Sequence, residues 1–179
     1  MSYMVYYNEI NVGDKKIYAT SDGEAITSLY FEKEKCFDKF CTLDDNLKIF
    51  ESLKKWLNIY FSGIEPDFNI PIKYSGSDFR VSVWNELLKI PYGKTITYKD
   101  IANSLELSLK KRVSAQAVGG AVGSNPISII IPCNRVIGKS GNLTGYSGGM
   151  HNKIDLLKLE KVNMDKMYVI SNNRKEYML

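Results

Sequence analysis

The chain has little of what metal or disulfide chemistry needs. It holds one histidine, His151, and three cysteines, Cys36, Cys41 and Cys133, in 179 residues. An odd, widely spaced set of thiols does not make a disulfide framework, and a single imidazole cannot complete a closed zinc site. Cys36 and Cys41 are therefore read as packing cysteines, and neither a metal nor a cofactor is expected. No apolar run approaches membrane-spanning length, and residues 1–9 lack a basic region followed by an apolar core. Nothing directs the chain out of the cytoplasm. Charge of one sign is also scarce: the net charge of +4 and pI of about 8.8 are compatible with a polyanionic partner but are found on many proteins without one. With 44% hydrophobic and 25% charged residues, what remains is an ordinary globular chain able to bury one large or two small cores.

Residues 1 to about 42 alternate apolar and polar side chains, as in Lys16-Ile17-Tyr18-Ala19-Thr20, with turn formers at Gly13-Asp14 and Asp22-Gly23. A small antiparallel meander is predicted. From Leu43 to Phe61 the period becomes helical through Leu47, Phe50, Leu53, Leu57 and Tyr60. Residues 62–76 carry Pro66 and Pro71 without a period and read as a linker. A second helical stretch, Phe79 to Ile90, stops at Pro91-Tyr92-Gly93. Thr97 can then cap a helix from Tyr98 to Leu105, with Asp100 giving an acidic capping box. After the basic Lys110-Lys111-Arg112 comes Ser114 to Gly123, a short helix of small residues. The pair suggests a helix-turn-helix whose second member could approach either another helix or a nucleic-acid strand.

The stretch Ile127-Ser128-Ile129-Ile130-Ile131-Pro132-Cys133 reads as a buried extended strand that delivers a thiol at its end, since Pro132 biases Ile131 away from helix. Taken alone, Cys133 reads more readily as a small core hydrophobe, the usual fate of a free cysteine, than as a nucleophile. Beyond it, residues 138–149 hold five glycines in twelve residues, a loop whose amides can approach a ligand. Met150 to Val162 returns to a helical period through Ile154, Leu157 and Leu159, and residues 163–179 read as an appendage.

Four blocks in this order and spacing, Pro91-Tyr92-Gly93-Lys94-Thr95-Ile96-Thr97-Tyr98, Ala117 to Pro126, Ile131-Pro132-Cys133-Asn134-Arg135-Val136 and Gly145-Tyr146-Ser147-Gly148-Gly149, resemble the methylated-DNA-protein-cysteine methyltransferases, the O6-alkylguanine-DNA alkyltransferases. The resemblance is strong over residues 77–160 and rests on layout alone before that. It implies a mixed α/β (α+β) chain: a ribonuclease-H-like N-terminal domain with its linker over 1–76, a helix-turn-helix (winged-helix-like) alkyltransferase domain over 77–162, and the appendage at 163–179. It further implies DNA repair on double-stranded DNA by a monomer. The alkyl group on guanine O6 would pass irreversibly to Cys133, in a single turnover, after the nucleotide is rotated out of the stack.

By the same resemblance Tyr98 crowds the target phosphate and later offers its hydroxyl to the leaving base. Ala117, Gly119, Gly120 and Ala121 let the second helix lie against DNA, with Arg112 and Arg135 as neighbouring cations. Asn125 braces the turn below the cysteine, the carbonyls of Cys133 and Val136 accept from the guanine amino group, Tyr146 and the Ser147 amide line the pocket, and Lys153 sits near its mouth. Glu160 matches the glutamate that orients a histidine beside the cysteine, but here that histidine is Asn134, which cannot take up a proton. Either Glu160 accepts through a water held by Asn134, or Arg135 and local amides carry more of the burden; slower transfer with a stronger rise toward alkaline pH is expected. Gln116 stands where an arginine is usual, which predicts weaker and more salt-tolerant binding. Two rival readings remain: a non-catalytic binder of alkylated guanine, resembling the alkyltransferase-like proteins, and a cysteine hydrolase pairing Cys133 with His151.

Overall fold

The computed structural model describes residues 4–36, 41–44 and 46–178. Its contacts divide the chain into two compact units, residues 1–75 with 126–128 and residues 76–125 with 129–179.

In the first unit, β1 (Tyr6–Val12), β2 (Lys15–Ser21) and β3 (Ile26–Tyr30) form the antiparallel meander that alternation predicts, and β4 (Thr42–Leu43) adds in parallel to the free edge of β1, for a spatial order β3-β2-β1-β4. A single turn of helix, α1 (Lys33–Cys36), precedes β4. Ile10, Val12, Ile17 and Ala19 point to one face, because side chains two apart share a face of the pleat. Helix α2 (Lys48–Phe61) brings Ile49, Phe50, Leu53, Leu57 and Tyr60 into the core. It begins later than the apolar period suggests: Asp44 accepts from the Asn46 amide at 2.9 Å, so the aspartate closes a turn instead of capping the helix. Of the expected packing cysteines, Cys41 is half-buried and the Cys36 side chain falls outside the described residues.

The second unit is helical around a minimal sheet. Helix α3 (Asp78–Leu87) is capped by Ser77 and anchors through Trp84, whose indole N–H donates to the Ala121 carbonyl at 2.9 Å. Strand β5 (Ile96–Thr97) leads straight into α4 (Tyr98–Leu109), where Thr97 and Asp100 form the full capping box. Lys110 ends α4 in the left-handed region, and α5 (Ala115–Gly123) follows with Ser114 as its cap. Strand β6 (Val136–Ile137) pairs in parallel with β5, and α6 (Met150–Leu159) packs nearby.

One expectation fails here. The isoleucine run is not a strand: Ile127 makes one isolated bridge to Leu29, residues 128–130 turn, and Ile129 adopts φ +71°. Burial rather than β-pairing selects these residues, since Ile127, Ile129 and Ile131 are all buried; a β-branched residue in the left-handed region costs about 1–3 kcal/mol, which packing must offset. The chain after Val162, read as an appendage, has structure of its own. Strands β7 (Tyr168–Ser171) and β8 (Arg174–Tyr177) form a hairpin through Asn172-Asn173, both at positive φ, and Met164 and Met167 share a core with Ile137, Leu143 and Leu157. No helix among the described residues is long and apolar enough to cross a membrane.

Candidate active site

Pro132 makes the turn that presents the thiol. With φ −80° and ψ 63° it forms an inverse γ-turn, closed by the Cys133 amide donating to the Ile131 carbonyl at 2.8 Å. A single 3-10 turn, Cys133–Arg135, then delivers the chain to β6. The sulfur therefore sits on a tightly hydrogen-bonded bend, not at the end of a rod.

Three groups stand at that sulfur. The Asn125 amide nitrogen is 3.1 Å from Sγ and also donates to the Ile131 carbonyl at 2.9 Å, so one side chain holds both the bend and the thiol. Tyr146 lies buried beside it, and Lys153 is the cation whose field reaches it. Burial pushes the Cys133 thiol up from its ordinary value, opposed first by the Asn125 hydrogen bond and then by Lys153. Lys153 has no solvent exposure, and its ammonium donates to the Val136 carbonyl at 2.6 Å and the Thr144 carbonyl at 2.9 Å. Burial lowers it to about 8, with the cysteine acting in the opposite direction. Expected at the pocket mouth, Lys153 is instead an interior charge. The helical reading through Ile154, Leu157 and Leu159 misses it because the stripe actually buried runs Lys153, Leu156, Leu157, Glu160, spacings of three and four that put lysine and glutamate on the core face.

Asn134, Arg135 and Glu160 form a second buried cluster, held together by hydrogen bonds of their own. Asn134 donates to Glu160 Oε1 at 3.0 Å; Arg135 Nε and the Gly93 amide donate to Oε2 at 2.8 and 3.1 Å. The guanidinium also donates to the Ile90 carbonyl at 2.7 Å and lies over the Tyr92 ring. Arg135 is thus an internal strut, which removes it both as a DNA-facing cation and as the support for the thiolate. Its burial beside an acid of opposite charge decides this. The Asn134 Oδ1 atom is buried and accepts no hydrogen bond.

Tyr98, at the first position of α4, is pushed up to about 12 by burial and donates to the Thr144 carbonyl at 3.0 Å. Gly145, at φ +66°, lies so close beneath it that a Cβ there would meet the phenol oxygen at 3.1 Å. The Val136 carbonyl, expected to receive a guanine amino group, has one lone pair taken by Lys153, and the Cys133 carbonyl accepts from the Val136 amide. Ser147 follows on the half-buried loop. The sulfur itself is sealed: Cys133 is 1% exposed. A concavity of about 440 Å³ is lined by Tyr98, Lys99, Gln116, Gly119, Thr144 and Gly145, and Cys133 is not among its lining residues.

On α5, Gln116, Ala117 and Gly120 face outward, whereas Ala121 is buried with its carbonyl on Trp84, so Ala121 does not belong to an outer contact surface. Arg112 is exposed and, with Lys99 and Lys111, lines a wider concavity of about 690 Å³ at the start of α5. His151 is exposed and 3.1 Å from Asp155, not joined to Cys133, which removes the hydrolase pairing. No group of three or more potential metal ligands occurs among the described residues.

Residues 5–74 match a family model described as "6-O-methylguanine DNA methyltransferase, ribonuclease-like domain", and residues 78–162 match the corresponding "DNA binding domain". The chain is 39% identical over 153 residues to the inducible methylated-DNA–protein-cysteine methyltransferase of Bacillus subtilis, covering 86% of this chain and 83% of that one. It is 42% identical over 160 residues to the methylated-DNA–protein-cysteine methyltransferase of Haemophilus influenzae, covering 88% and 87%. Among solved structures, the Mycobacterium tuberculosis protein OGT in complex with DNA superposes with a TM-score of 0.77 at 39% identity, over 87% of this chain and 92% of that one. A ribonuclease-like unit, a helix-turn-helix unit and a cysteine on a proline turn wired to asparagine and lysine all agree with these matches: the chain belongs to the 6-O-methylguanine DNA methyltransferase family.

Proposed function

We propose that this protein repairs DNA as a monomer by accepting the alkyl group of O6-alkylguanine on Cys133, once per molecule. The observation that carries the reading is the thiol's environment. A structural cysteine needs no hydrogen-bond donor at its sulfur and no buried ammonium in its field; Asn125 and Lys153 are both there. Both favour the thiolate, which is the nucleophile.

In the transfer, the sulfur lone pair forms the S–C bond as the C–O6 bond breaks along the same line. The electron pair released to the purine is neutralised by a proton, and Tyr98 is the hydroxyl placed to supply it and to be recharged. Over the whole reaction the thiol proton and the alkyl group exchange carriers: the thiol proton leaves to solvent water as the site opens, and the tyrosinate left at Tyr98 regains a proton from solvent. Asn134 cannot take up the thiol proton, and Glu160 is already held by three donors. The thiolate therefore depends on direct stabilisation by Asn125 and Lys153 more than on a general base.

Because the sulfur is covered, admission of a base requires the Tyr98–Thr144 hydrogen bond to open, in the manner of a lid. The outward residues Gln116, Ala117 and Gly120 serve as the DNA-facing surface, and Arg112, Lys99 and Lys111 as phosphate contacts. Incubation with a duplex carrying O6-methylguanine, followed by digestion and mass spectrometry, should give S-methylcysteine at position 133. Tight binding of that duplex with an unmodified Cys133 would instead establish the lesion-binding reading.

A further inference from the structure

The family model ends at residue 162, yet the next sixteen described residues are tied to the glycine-rich loop that carries Thr144 and Tyr146. The Leu143 amide donates to the Tyr168 carbonyl at 2.8 Å, and Asn142 bridges Tyr168 in parallel. Gly141 lies so near that a Cβ there would meet the Lys166 carbonyl oxygen at 2.3 Å. Met164 and Met167 share a core with Leu143 of the loop, Ile137 of β6 and Leu157 of α6, and Val169 and Met178 pack around it. The residue after Leu143 is Thr144, whose one carbonyl receives both the Tyr98 hydroxyl and the Lys153 ammonium.

We propose that the C-terminal hairpin is a brace for the acceptor loop: by fixing Leu143 through Tyr168 and Met167, it sets the Thr144 carbonyl, and through that carbonyl the positions of Tyr98 and Lys153 about Cys133. Tyr168 and Met167 are positioning residues and touch no substrate. The inference rests on alkyl transfer being the activity. It locates in residues 163–179 a control over the rate of transfer and not over DNA affinity, since the apolar side of the hairpin faces the loop and α6.

The physical basis is that Thr144 lies in a glycine-rich segment with little secondary structure of its own, so its carbonyl is placed only by what the neighbouring residues are fastened to. A loop flanked by Gly141 and Gly145 has many accessible conformations, and ordering it costs entropy that the hairpin's core and one backbone hydrogen bond offset. An ammonium that loses one of two carbonyl partners moves, and its effect on the thiolate falls with distance.

The test uses full-length variants. Gly141→Ala drives the loop from the Lys166 carbonyl, and Met167→Ala opens the shared core. Each should slow single-turnover transfer at saturating DNA by about ten- to a hundredfold, the scale set by sub-ångström to ångström misplacement, with affinity for unmodified duplex within about twofold. Both should also speed carbamidomethylation of Cys133 by iodoacetamide, read by peptide mass spectrometry, because the sulfur is otherwise covered. Arg174→Glu, on the exposed strand, should leave the transfer rate unchanged. The brace is overturned if transfer and carbamidomethylation both match the unaltered chain, if affinity and salt slope change while the saturated rate does not, if Arg174→Glu slows transfer as much as the other two, or if Gly141→Ala and Met167→Ala both lose the folded circular-dichroism signal. If the unaltered chain itself forms no S-methylcysteine, alkyl transfer fails and not the brace, which the iodoacetamide rates still read.

Discussion

The two units bury polar groups in opposite ways. In the first, the buried polar residues are Asn8, Thr20, Ser21, Ser28 and Ser128, all neutral: Thr20 bonds Ser28 at 2.6 Å and Thr27 at 2.8 Å, Ser21 donates to the Ala25 carbonyl at 2.7 Å, and the Ser128 hydroxyl has no partner among the described residues. In the second they are Asn125, Asn134, Arg135, Lys153 and Glu160, three of them ionisable. Neutral hydroxyls on a sheet need only a neighbour, whereas a buried charge costs several kcal/mol unless it is paired and hydrogen-bonded, at the order of magnitude known for such groups. A fold does not bear that cost for stability alone. The charged interior marks the unit that does chemistry, and the neutral interior marks the one that does not.

Replacing the nucleophile draws the contrast most strongly. Cys133→Ala should abolish alkyl transfer with little change in the melting transition, while Thr20→Val in the first unit should leave the transfer rate as it is; residual S-alkylation elsewhere in the Cys133→Ala chain would move the acceptor away from the second unit. Next in size is the buried ion pair. Arg135→Met strands Glu160 without its cation and should cost about 3–5 kcal/mol, against about 1 kcal/mol for removal of the Thr20 hydroxyl, both read by denaturant unfolding. Equal costs would break the comparison.

The pH dependence sharpens it. Burial holds Lys153 at about 8 in the folded chain against an ordinary 10.5, so the folded state binds that proton more weakly. Below about 8 both states are protonated and the cost of burying the ammonium is felt in full; between about 8 and 10.5 only the unfolded chain keeps the proton, and stability rises with pH. The raised Cys133 works the other way above its ordinary 9.0, because the folded thiol keeps its proton longer. Relative to Lys153→Met, the unaltered chain should therefore gain stability between about pH 8 and 9, measured by unfolding at constant ionic strength. Its transfer rate should climb with pH as the thiolate forms and then bend near 8 as the ammonium that supports it is lost, and Lys153→Met should lack the bend. A flat profile in both proteins would remove Lys153 from the reaction. The smallest effect belongs to the outer surface: Gln116→Arg should tighten DNA binding at low salt and steepen the salt slope by about 1, and no change would take Gln116 out of the interface.

Regular elements were legible in the sequence wherever a local rule governs them. Alternation gave the meander, the Thr97–Asp100 pair gave the start of α4, and small residues after Ser114 gave α5. Misreadings cluster where burial overrode local preference. The isoleucines before Pro132 have the composition of a strand but are drawn into separate parts of two cores, so their backbone turns. The resemblance implies Lys153 at the pocket mouth, although its spacing from Leu156, Leu157 and Glu160 assigns it to the inner face of α6. Arg135 reads as a cation near DNA, and no local pattern announces that Glu160, twenty-five residues away, holds it.

The order of four blocks along the chain was enough, by itself, to determine the family and the helix-turn-helix and to single out Cys133, because those depend on residue types at short spacing. Only the tertiary structure decided which cation serves the sulfur, that the sulfur rests covered, and that the last residues hold the loop in place. These are matters of distance between groups remote in sequence, and distance is set by packing.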